Sequence, residues 1–457
     1  MRYCLRLTEN QQKALQEHLQ PGDGLEAAAL LLCGRRRGAA RHVFTVRQVI
    51  AVPYGACLRT HDKVTWPTDL LDPLICEAYQ RGQAIVKVHS HTTERREFSS
   101  TDDDSDRGVL GAVARLAGDG PHASVIMLPD GSLFGRVVGE EGPADPLASV
   151  MVVGDDLKVW RPGPPCGVDA FAMRHAQAFG AGTTSLLRAL SVAVVGCSGT
   201  GSVVIEQLAR LGVGRLVLVD PDEVEEKNLN RILNSGKADA YLRRPKVEVM
   251  ATAVAHMGLG QEVEVLRMDV AKPEAVRAVA ECDVVFGCMD GVEGRHLVNR
   301  LATFYCMPYV DVGVGLDADG RGGVAAVAGA VHFLQPGRSS LLSRGVYTME
   351  DVEAAAMRRA NPLLYERHRE EGYLRGVQED RPAVISVNML FGALAVQELL
   401  ARLHPHRNRP NGDYACLAGN LAEMQLFPEA ETADCHLLKK HVGRGDMDPL
   451  LDRPVLS

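Results

Sequence analysis

The chain has 457 residues, 46% of them hydrophobic and 24% charged, and its formal net charge is −8. This length is enough for about three domains of roughly 150 residues each, and the acidic balance argues against an electrostatic binder of nucleic acid or of a membrane surface. The N-terminal stretch has no apolar core and no uncharged apolar run reaches the roughly 18 residues that span a bilayer, so we expect no signal peptide, no membrane segment and a cytoplasmic location.

Residues 1–145 have the pattern of a mixed α/β domain. Thr8 is placed to cap a helix over 9–20, and a second helix over 67–81 ends at Gly82. An Asp130-Gly131 pair predicts the turn of a hairpin. The expected strands occupy residues 25–34, 42–53, 83–91 and the two arms of the hairpin over 122–138.

Residues 146–170 are rich in Pro and Gly and are predicted to be a linker, although the apolar run 147–154 suits pairing with either neighbour. From 171 to 457 short apolar strands alternate with helical segments. This alternation predicts a Rossmann-like, doubly wound, mostly parallel sheet. The expected strands lie at 191–196, 215–220, 263–269, 282–290 and 308–313.

Two histidines, His89 and His91, stand one residue apart at the end of an apolar strand. In extended chain both imidazoles point to the same side and can reach one metal ion. Two histidines and one carboxylate leave a fourth position open, which is the composition of a catalytic zinc site. A solvated polar loop, or an acidic helix N-terminus, accounts for the same residues. The carboxylates that follow are Asp102, Asp103, Asp104 and Asp106.

The spacing resembles the signature of the JAMM (JAB/MPN+) metalloproteases, H-x-H-x7-S-x2-D with an upstream Glu. The resemblance implies that zinc is held by His89, His91 and Asp102. It also implies that Glu26 is the general base that moves a proton from water to the leaving amine, and that Ser99 donates a hydrogen bond to the developing oxyanion.

Two features depart from that signature. Thr92 follows the second histidine, where the family usually has Pro. The acidic run also permits a register in which Ser100 and Asp103 take the places of Ser99 and Asp102. The distance in sequence from His91 favours Asp102.

A second motif, "VAVVGCSGTGS", places Gly196, Gly199 and Gly201 between a strand and a helix. Such a loop cradles phosphates on the N-terminus of the helix. Asp220 ends the next strand, where an acid that binds ribose hydroxyls is expected. The glycines alone favour a nicotinamide- or flavin-binding domain.

Four residues that follow the glycine loop point to ATP instead. Asn228 and Arg231 lie in "NLNRI", Lys246 follows "RRP", and Asp290 ends the strand "DVVFGCMD". An Arg and a Lys neutralise phosphates, and a carboxylate at a strand end can hold Mg²⁺.

From about 171 to 435 the chain resembles the ThiF/MoeB/HesA family, the bacterial relatives of ubiquitin-activating enzymes. The resemblance implies that Asp220 binds the ribose, that Asn228, Arg231 and Lys246 contact phosphates, and that Asp290 positions Mg²⁺. It further implies that Arg174 reaches the phosphates of a neighbouring subunit in a homodimer. The family's chemistry is adenylation of the C-terminal carboxylate of a ubiquitin-fold protein, followed by transfer to a sulfur or amine acceptor.

The chain departs from that family at its cysteines. Many members carry two CxxC pairs that bind a structural zinc, but the corresponding positions here hold Ser340 and Ser343, then Cys435 and Leu438. We therefore expect no structural zinc at these positions, with polar or apolar packing in its place. No cysteine lies between Cys306 and Cys416, so we expect no thioester on the crossover segment and transfer to an external acceptor.

Together the two motifs predict a bifunctional enzyme. It would cut at the C-terminus of a ubiquitin-like or sulfur-carrier protein ending in Gly-Gly, and it would adenylate that same carboxylate. The expected cofactors are Zn²⁺, ATP and Mg²⁺, and a sulfur donor or an acceptor protein would receive the activated group. The alternatives are a small-molecule or tRNA-modifying adenylating enzyme, a non-catalytic scaffold and an NAD(P)-dependent oxidoreductase.

Overall fold

The computed structural model describes residues 1–117, 120–164, 167–318, 324–363, 365–366 and 384–456. The chain divides into two compact units, each of them mixed α/β as the sequence predicts. The first unit comprises Met1–Pro164, Thr303–Cys306 and His441–Ser457. The second unit comprises Pro165–Ala302 and Met307–Lys440.

The first unit is built on a large mixed sheet. Its described strands are β1 (Arg2–Thr8), β2 (Ala28–Arg37), β3 (Arg41–Ala51), β4 (Leu58–Arg59), β5 (Val64–Thr65), β6 (Ala84–Ser90), β7 (His122–Met127), β8 (Leu133–Gly139), β9 (Gly142–Pro146), β10 (Ser149–Val153) and β11 (Leu157–Trp160). Its described helices are α1 (Glu9–Leu19), α2 (Asp72–Arg81) and α3 (Ser100–Ala117). The sheet order is β11-β10-β1-β3-β2-β6-β7-β8-β9, and β4 pairs with β5 in a separate hairpin.

Helices cover both faces of this sheet. Alternate residues of strand β2 point to opposite faces of the sheet, and both faces are buried. On one face Leu31 lies in a cluster with Leu15 and Leu19 of α1. On the other face Leu30 lies in a cluster with residues of α2 and α3. The predicted helix caps are present, since the Thr8 hydroxyl accepts a hydrogen bond at the start of α1 and Gly82 ends α2 at a φ of 61°.

The predicted linker over 146–170 is wrong for residues 149–160, because these residues form β10 and β11 of the sheet. Strand β10 pairs in parallel with β1 and antiparallel with β11. The alternating apolar run finds a hydrogen-bonding partner in β1, and that pairing outweighs the Pro- and Gly-rich composition around it. Residues 165–166 of the predicted linker lie outside the described residues.

The C-terminal segment His441–Ser457 also belongs to the first unit, whereas the sequence placed it in the second domain. The Gly443 carbonyl accepts a hydrogen bond from the Gly34 amide at 3.1 Å, and the Asp446 amide donates to the Arg35 carbonyl at 2.7 Å. Gly443 has a φ of +68°, and a Cβ there would lie 2.1 Å from the carbonyl oxygen of Val46. The segment is therefore fitted closely against β2 and β3.

The second unit contains an eight-stranded sheet. Its described strands are β12 (Ser191–Val195), β13 (Arg215–Val219), β14 (Glu262–Leu266), β15 (Val284–Gly287), β16 (Tyr309–Ala318), β17 (Val324–Leu334), β18 (Cys416–Asn420) and β19 (Gln425–Glu429). Its described helices are α4 (Met173–Ala189), α5 (Gly199–Arg210), α6 (Lys237–Tyr241), α7 (Lys246–Met257), α8 (Pro273–Ala280), α9 (Val292–Phe304), α10 (Met349–Ala360), α11 (Ile385–Leu403) and α12 (His436–Lys439). The last residues of α9 fall in the first unit.

The strand order of this sheet is β14-β13-β12-β15-β16-β17-β18-β19. The first five strands in this order, β14 to β16, are parallel to one another. From β16 to β19, each strand pairs antiparallel with the next. The order reverses direction between β12 and β15, which is where doubly wound folds bind their ligands. Helix α11 is long and apolar enough to cross a membrane, but 61% of its apolar window is buried. It also carries a buried ion pair between Glu398 and Arg402, as a core helix can.

Candidate functional site

The first candidate site lies where β2 begins and β6 ends. Because the two strands are antiparallel and Ala28 pairs with His89, the residues just outside the ladder, Glu26 and His91, follow the same register. The Ser90 amide donates to the Ala27 carbonyl at 3.0 Å and so continues the pairing beyond the strands. The sheet therefore sets the spacing between Glu26 and the two histidines.

His89, His91 and Asp102 come together in a cluster. One ligand atom from each lies within 4.8 Å of the others, and His89 Nε2 is 3.2 Å from the Asp102 carboxylate. His91 Nδ1 is 2.9 Å from the carbonyl oxygen of Arg95. Because a carbonyl only accepts, His91 carries its proton on Nδ1, which leaves Nε2 as an acceptor or metal ligand.

Ser99 and Asp102 form a cap at the start of α3. The Ser99 hydroxyl donates to the Asp102 carboxylate at 2.7 Å, the Ser99 amide donates to the same oxygen at 2.8 Å, and the Asp102 amide donates back to Ser99 Oγ at 3.2 Å. One carboxylate oxygen is thus held by the cap while the other faces His89. In this arrangement the Ser99 hydroxyl points at Asp102, although the sequence predicted that it would serve an oxyanion.

The neighbouring acids of α3 are engaged elsewhere. Asp103 pairs with Arg136, and Asp106 is fully buried between Lys87 and Arg136. Asp104 pairs with Arg107 at 3.0 Å on the surface. In the alternative register Asp103 would be the metal ligand, but its carboxylate contacts Arg136 and not the two histidines.

The electrostatics of this cluster separate its two acids. Burial, together with the nearby charges of Asp102 and Asp62, raises the pKa of Glu26 to about 8. Burial alone would also raise the pKa of Asp102, but hydrogen bonds from His89 and Ser99 hold it well below its usual range. Burial lowers the pKa of His89. One acid is thus ionised beside a neutral imidazole, and the other retains a proton near neutral pH.

Thr92, which stands where the resembled family has Pro, makes a specific contact. Its hydroxyl donates to the carbonyl of His61 at 2.7 Å, in the turn that joins β4 to β5. The same turn accepts the Glu26 amide at the Thr60 carbonyl, 2.8 Å away. The hairpin is thereby tied both to the segment after the histidines and to the residue that precedes β2.

The glycine loop of the second unit follows β12 and leads into α5. Gly196 has a φ of +93°, and a Cβ there would lie 2.5 Å from the Cys288 carbonyl oxygen. A Cβ on Gly201 would lie 1.9 Å from the carbonyl oxygen of Gly196. The loop therefore needs glycine at both positions for close backbone packing, and it leaves the amides at the start of α5 at the switch point.

Asp220 and Lys246 lie beside this loop. The Asp220 carboxylate accepts the amides of Cys197 at 2.7 Å and Asp222 at 2.9 Å, and burial raises its pKa. Lys246 is only 7% exposed, and its ammonium is 2.7 Å from the Asp222 carboxylate. The structure thus brings a carboxylate and a buried cation to the end of β13.

The remaining predicted residues are spread around the loop. Asn228 is buried and accepts the Glu225 amide at 3.1 Å. Arg231 donates to the Lys227 carbonyl at 2.9 Å, and its Cδ approaches Gly199, since a Cβ there would lie 3.4 Å from it. Asp290 is exposed just beyond β15. Arg174 lies exposed on α4, apart from the elements that carry the others.

The sequence missed three contributors to these sites. The Arg95 carbonyl fixes the tautomer of His91, and Asp62 raises the pKa of Glu26. Asn388 of α11 is 2% exposed, and its amide nitrogen would lie 2.3 Å from a Cβ on Gly199. Backbone carbonyls and residues distant in sequence leave no local pattern, so no motif could have identified them.

The positions of the degraded CxxC pairs are packed by polar and apolar groups. The Ser343 amide donates to the Ser340 hydroxyl at 3.1 Å, and the Cys435 amide donates to the Arg338 carbonyl at 3.0 Å. Leu438 is buried. The absence of a structural zinc at these positions stays a prediction.

A sequence model of the ThiF family matches residues 172–437, and a model of prokaryotic homologs of the JAB domain matches residues 8–132. The chain is 28% identical over 165 residues to ubiquitin-like modifier-activating enzyme 5 of Caenorhabditis elegans, across 34% of this chain and 37% of that protein. It is 37% identical over 119 residues to the SAMP-activating enzyme E1 of Haloferax volcanii, across 26% of this chain and 43% of that protein. The chain thus spans less than half the length of these relatives.

Among solved structures, the chain resembles a crystal structure of E. coli MccB with ATP. The two share a TM-score of 0.45 and 16% sequence identity, across 59% of this chain and 74% of that one.

Proposed function

The chain belongs to the ThiF family, and from this premise we propose that its second unit adenylates the C-terminal carboxylate of a ubiquitin-like or sulfur-carrier protein that ends in Gly-Gly. The observation that carries the proposal is the pair of Asp220 and buried Lys246 beside a close-packed glycine loop at the switch point. The relatives named above activate modifier proteins, and their family chemistry matches this set of residues.

In this reaction the carboxylate oxygen of the partner attacks the α-phosphate of ATP. The bond from the α-phosphorus to the oxygen that bridges it to the β-phosphorus breaks, and pyrophosphate leaves. Lys246 and Arg231 would neutralise the phosphates, Asn228 would donate its amide to them, and Asp290 would hold the Mg²⁺. Asp220 would accept the ribose hydroxyls. The glycine loop would supply backbone amides to the triphosphate.

The activated carboxylate would pass to an external acceptor rather than to Cys197, Cys306 or Cys416. Burial raises the pKa of Cys197 well above its usual value, and it raises that of Cys306 and Cys416 to about 12. Such thiols stay protonated and are poor nucleophiles. A sulfur donor or an amine on an acceptor protein is the expected recipient.

For the first unit we propose a zinc-dependent hydrolase that cuts a peptide or isopeptide bond after the C-terminus of the same kind of partner. The cluster fits the metal, because two imidazoles and an ionised carboxylate lie within reach of one another and the tautomer of His91 is fixed by Arg95. When bound, zinc lowers the pKa of a water and polarises the scissile carbonyl. Glu26 would take up and deliver a proton, and Ser99 would orient Asp102 through their hydrogen bond.

The two activities would act on one tail. The hydrolase would expose or release a C-terminal glycine, and the adenylating site would activate it. We also propose a homodimer formed through the adenylating unit, with Arg174 reaching the neighbouring copy. Analytical ultracentrifugation of the full chain would give one dimeric species if this is so, and a monomer at micromolar concentration would contradict it.

Exchange of labelled pyrophosphate into ATP tests the adenylation. With a sulfur-carrier protein ending in Gly-Gly we expect exchange that disappears when the two glycines are removed. Lys246→Ala should lower the exchange by roughly 100-fold or more, since a phosphate-binding cation contributes several kcal/mol to the transition state. Lys272→Ala is the matched control, because Lys272 is exposed. Exchange that is equal in both variants would contradict the assignment.

Cleavage of the same carrier extended by a short C-terminal peptide tests the hydrolase. We expect release of the peptide by the wild-type chain, and loss of release in the presence of a chelator. No exchange with any carrier, together with no metal in the purified protein, would favour a non-catalytic scaffold.

A further inference from the structure

A buried ion pair lies beside the adenylating site and has no part in the function proposed above. Asp311 of β16 is 0% exposed. It accepts a hydrogen bond from Arg295 Nε at 3.0 Å, a second contact from the same guanidinium and one from the Tyr309 hydroxyl at 2.5 Å. The Asp311 carboxylate therefore accepts two hydrogen bonds from the Arg295 guanidinium and one from the Tyr309 phenol.

Such a pair is expensive to bury. Removing two charges from water often costs as much as their attraction returns, and apolar residues of similar volume frequently give equal or greater stability. The residues on either side of Asp311, Val310 and Val312, are apolar and buried. A charged pair at this point is therefore better explained by what it holds in place than by the stability it adds.

The Asp311–Arg295 ion pair fixes the C-terminal end of the loop over residues 288–291, which carries Asp290. In the ladder, Asp311 is the partner of Gly287, the last residue of β15. The chain then runs through residues 288–291 into α9, and Arg295 lies in the first turn of that helix, where its amide donates to the Gly291 carbonyl at 3.1 Å. Anchoring Arg295 to β16 thereby fixes the start of α9.

The entry of the same loop is fixed independently. The Cys288 amide donates to the Val195 carbonyl at 2.8 Å, at the end of β12 where the glycine loop begins. Gly287 leaves room for the phenol, because a Cβ there would lie 2.5 Å from the Tyr309 hydroxyl oxygen. The loop is thus held at both ends, and Asp290 projects from it into solvent at the switch point.

We propose that Asp311, acting through Arg295, is a positioning residue that orients Asp290 for the divalent cation bound with ATP. The inference rests on the adenylation proposed above. Partners that orient a metal-binding carboxylate typically contribute roughly 10- to 100-fold to metal affinity. The predicted signature is a loss confined to the part of ATP affinity that depends on the cation.

Calorimetric titration of ATP into the full-length chain is done once with Mg²⁺ and once with a chelator. The dissociation constant in the chelator divided by that with Mg²⁺ measures the part of the affinity that depends on the cation. Asp290→Asn should reduce the ratio to near one. Asp311→Asn should reduce it by roughly tenfold while affinity in the chelator stays within about twofold. Arg295→Lys keeps the charge but loses the planar fork, and it gives a second variant with the same expected loss if Asp311→Asn does not fold.

Glu398→Gln is the matched control, since it also removes a carboxylate from a buried pair, with Arg402 on α11. It should keep the wild-type ratio. An unchanged ratio in Asp311→Asn and Arg295→Lys, or an equal loss in Glu398→Gln, would overturn the positioning role and leave the adenylation proposal standing. If the wild-type chain bound no ATP at all, the adenylation proposal would fail and this one with it.

Discussion

The two candidate sites differ in how completely their side chains are arranged before a ligand arrives. In the first unit the ligand atoms of His89, His91 and Asp102 already face one another, and hydrogen bonds from Ser99 and to Arg95 hold them. In the second unit, Lys246 is paired with Asp222 and Asp290 points into solvent. The comparison indicates that a metal ion would bind with little rearrangement, whereas ATP would have to exchange existing ion pairs for new ones.

The largest expected effect is the loss of zinc from the first site, with the second site unchanged. His89→Ala removes one of three ligands, so we expect zinc content to fall from about one ion per chain to less than a tenth, with loss of the proposed hydrolysis. ATP binding should be unchanged, since the glycine loop belongs to the other unit. Elemental analysis and calorimetry check the two halves of this prediction.

His61→Ala is its control, because the His61 side chain is 80% exposed and only its backbone carbonyl contacts Thr92. Zinc retained by His89→Ala would contradict the assignment of the ligand.

Gly201→Ala breaks the second site alone. The added Cβ would lie 1.9 Å from the Gly196 carbonyl, so the loop must shift, and we expect ATP binding to weaken at least tenfold and the free energy of unfolding to fall by about 1–3 kcal/mol. Gly182→Ala has open space around its Cβ and should change neither quantity by a comparable amount. Equal ATP affinity in the two variants would show that the glycine loop does not bind the nucleotide.

Ser99→Ala sharpens the comparison by loosening one ligand without removing it. The loss of the 2.7 Å hydrogen bond to Asp102 should weaken zinc binding by roughly tenfold, as expected for a partner that orients a ligand. Competition with a fluorescent chelator measures this. Ser100→Ala, at the alternative register, should bind zinc as the wild type does, and the reverse result would favour the register with Asp103.

The smallest effect is a dependence of stability on pH in the metal-free protein. Burial raises the pKa of Glu26 to about 8 from its usual value of 4.5, so the folded state keeps a proton that the unfolded state releases. Stability should therefore decline as pH rises from about 4.5 to about 8. Melting temperatures in a chelator should show a flatter profile for Glu26→Gln across this window.

Glu97→Gln, whose parent side chain is 70% exposed, should retain the wild-type profile. Identical profiles for Glu26→Gln and the wild type would show that Glu26 is ionised throughout.

The sequence predicts both candidate sites from local spacing, and the structure brings His89, His91 and Asp102 together as that spacing predicts. Histidines two apart on a strand share a side, and glycines between a strand and a helix mark a phosphate loop. The fold class followed from the alternation of apolar strands with helices, and the structure and the family matches confirm it. Individual roles of Glu26, Arg231 or Asp290 stay predictions.

What the sequence could not provide depends on contacts between distant segments. The run 147–154 had two candidate sheets, and only the parallel partner β1 decides between them. Asp311 stood in an apolar strand, and nothing local reveals that Arg295 neutralises it. The sequence distance from His91 favoured Asp102 among four nearby aspartates. The ion pairs of Asp103 with Arg136 and of Asp106 with Lys87 are visible only in the structure.

The first unit closes with a segment that follows the whole second unit along the chain. Residues before Pro164 are made early, but the Gly443 and Asp446 contacts to β2 become available only after some 276 further residues, Pro165–Lys440, have been synthesised. During synthesis the backbone of β2 and β3 therefore lacks these contacts while the second unit emerges from the ribosome. The unit that begins first along the chain is therefore completed last.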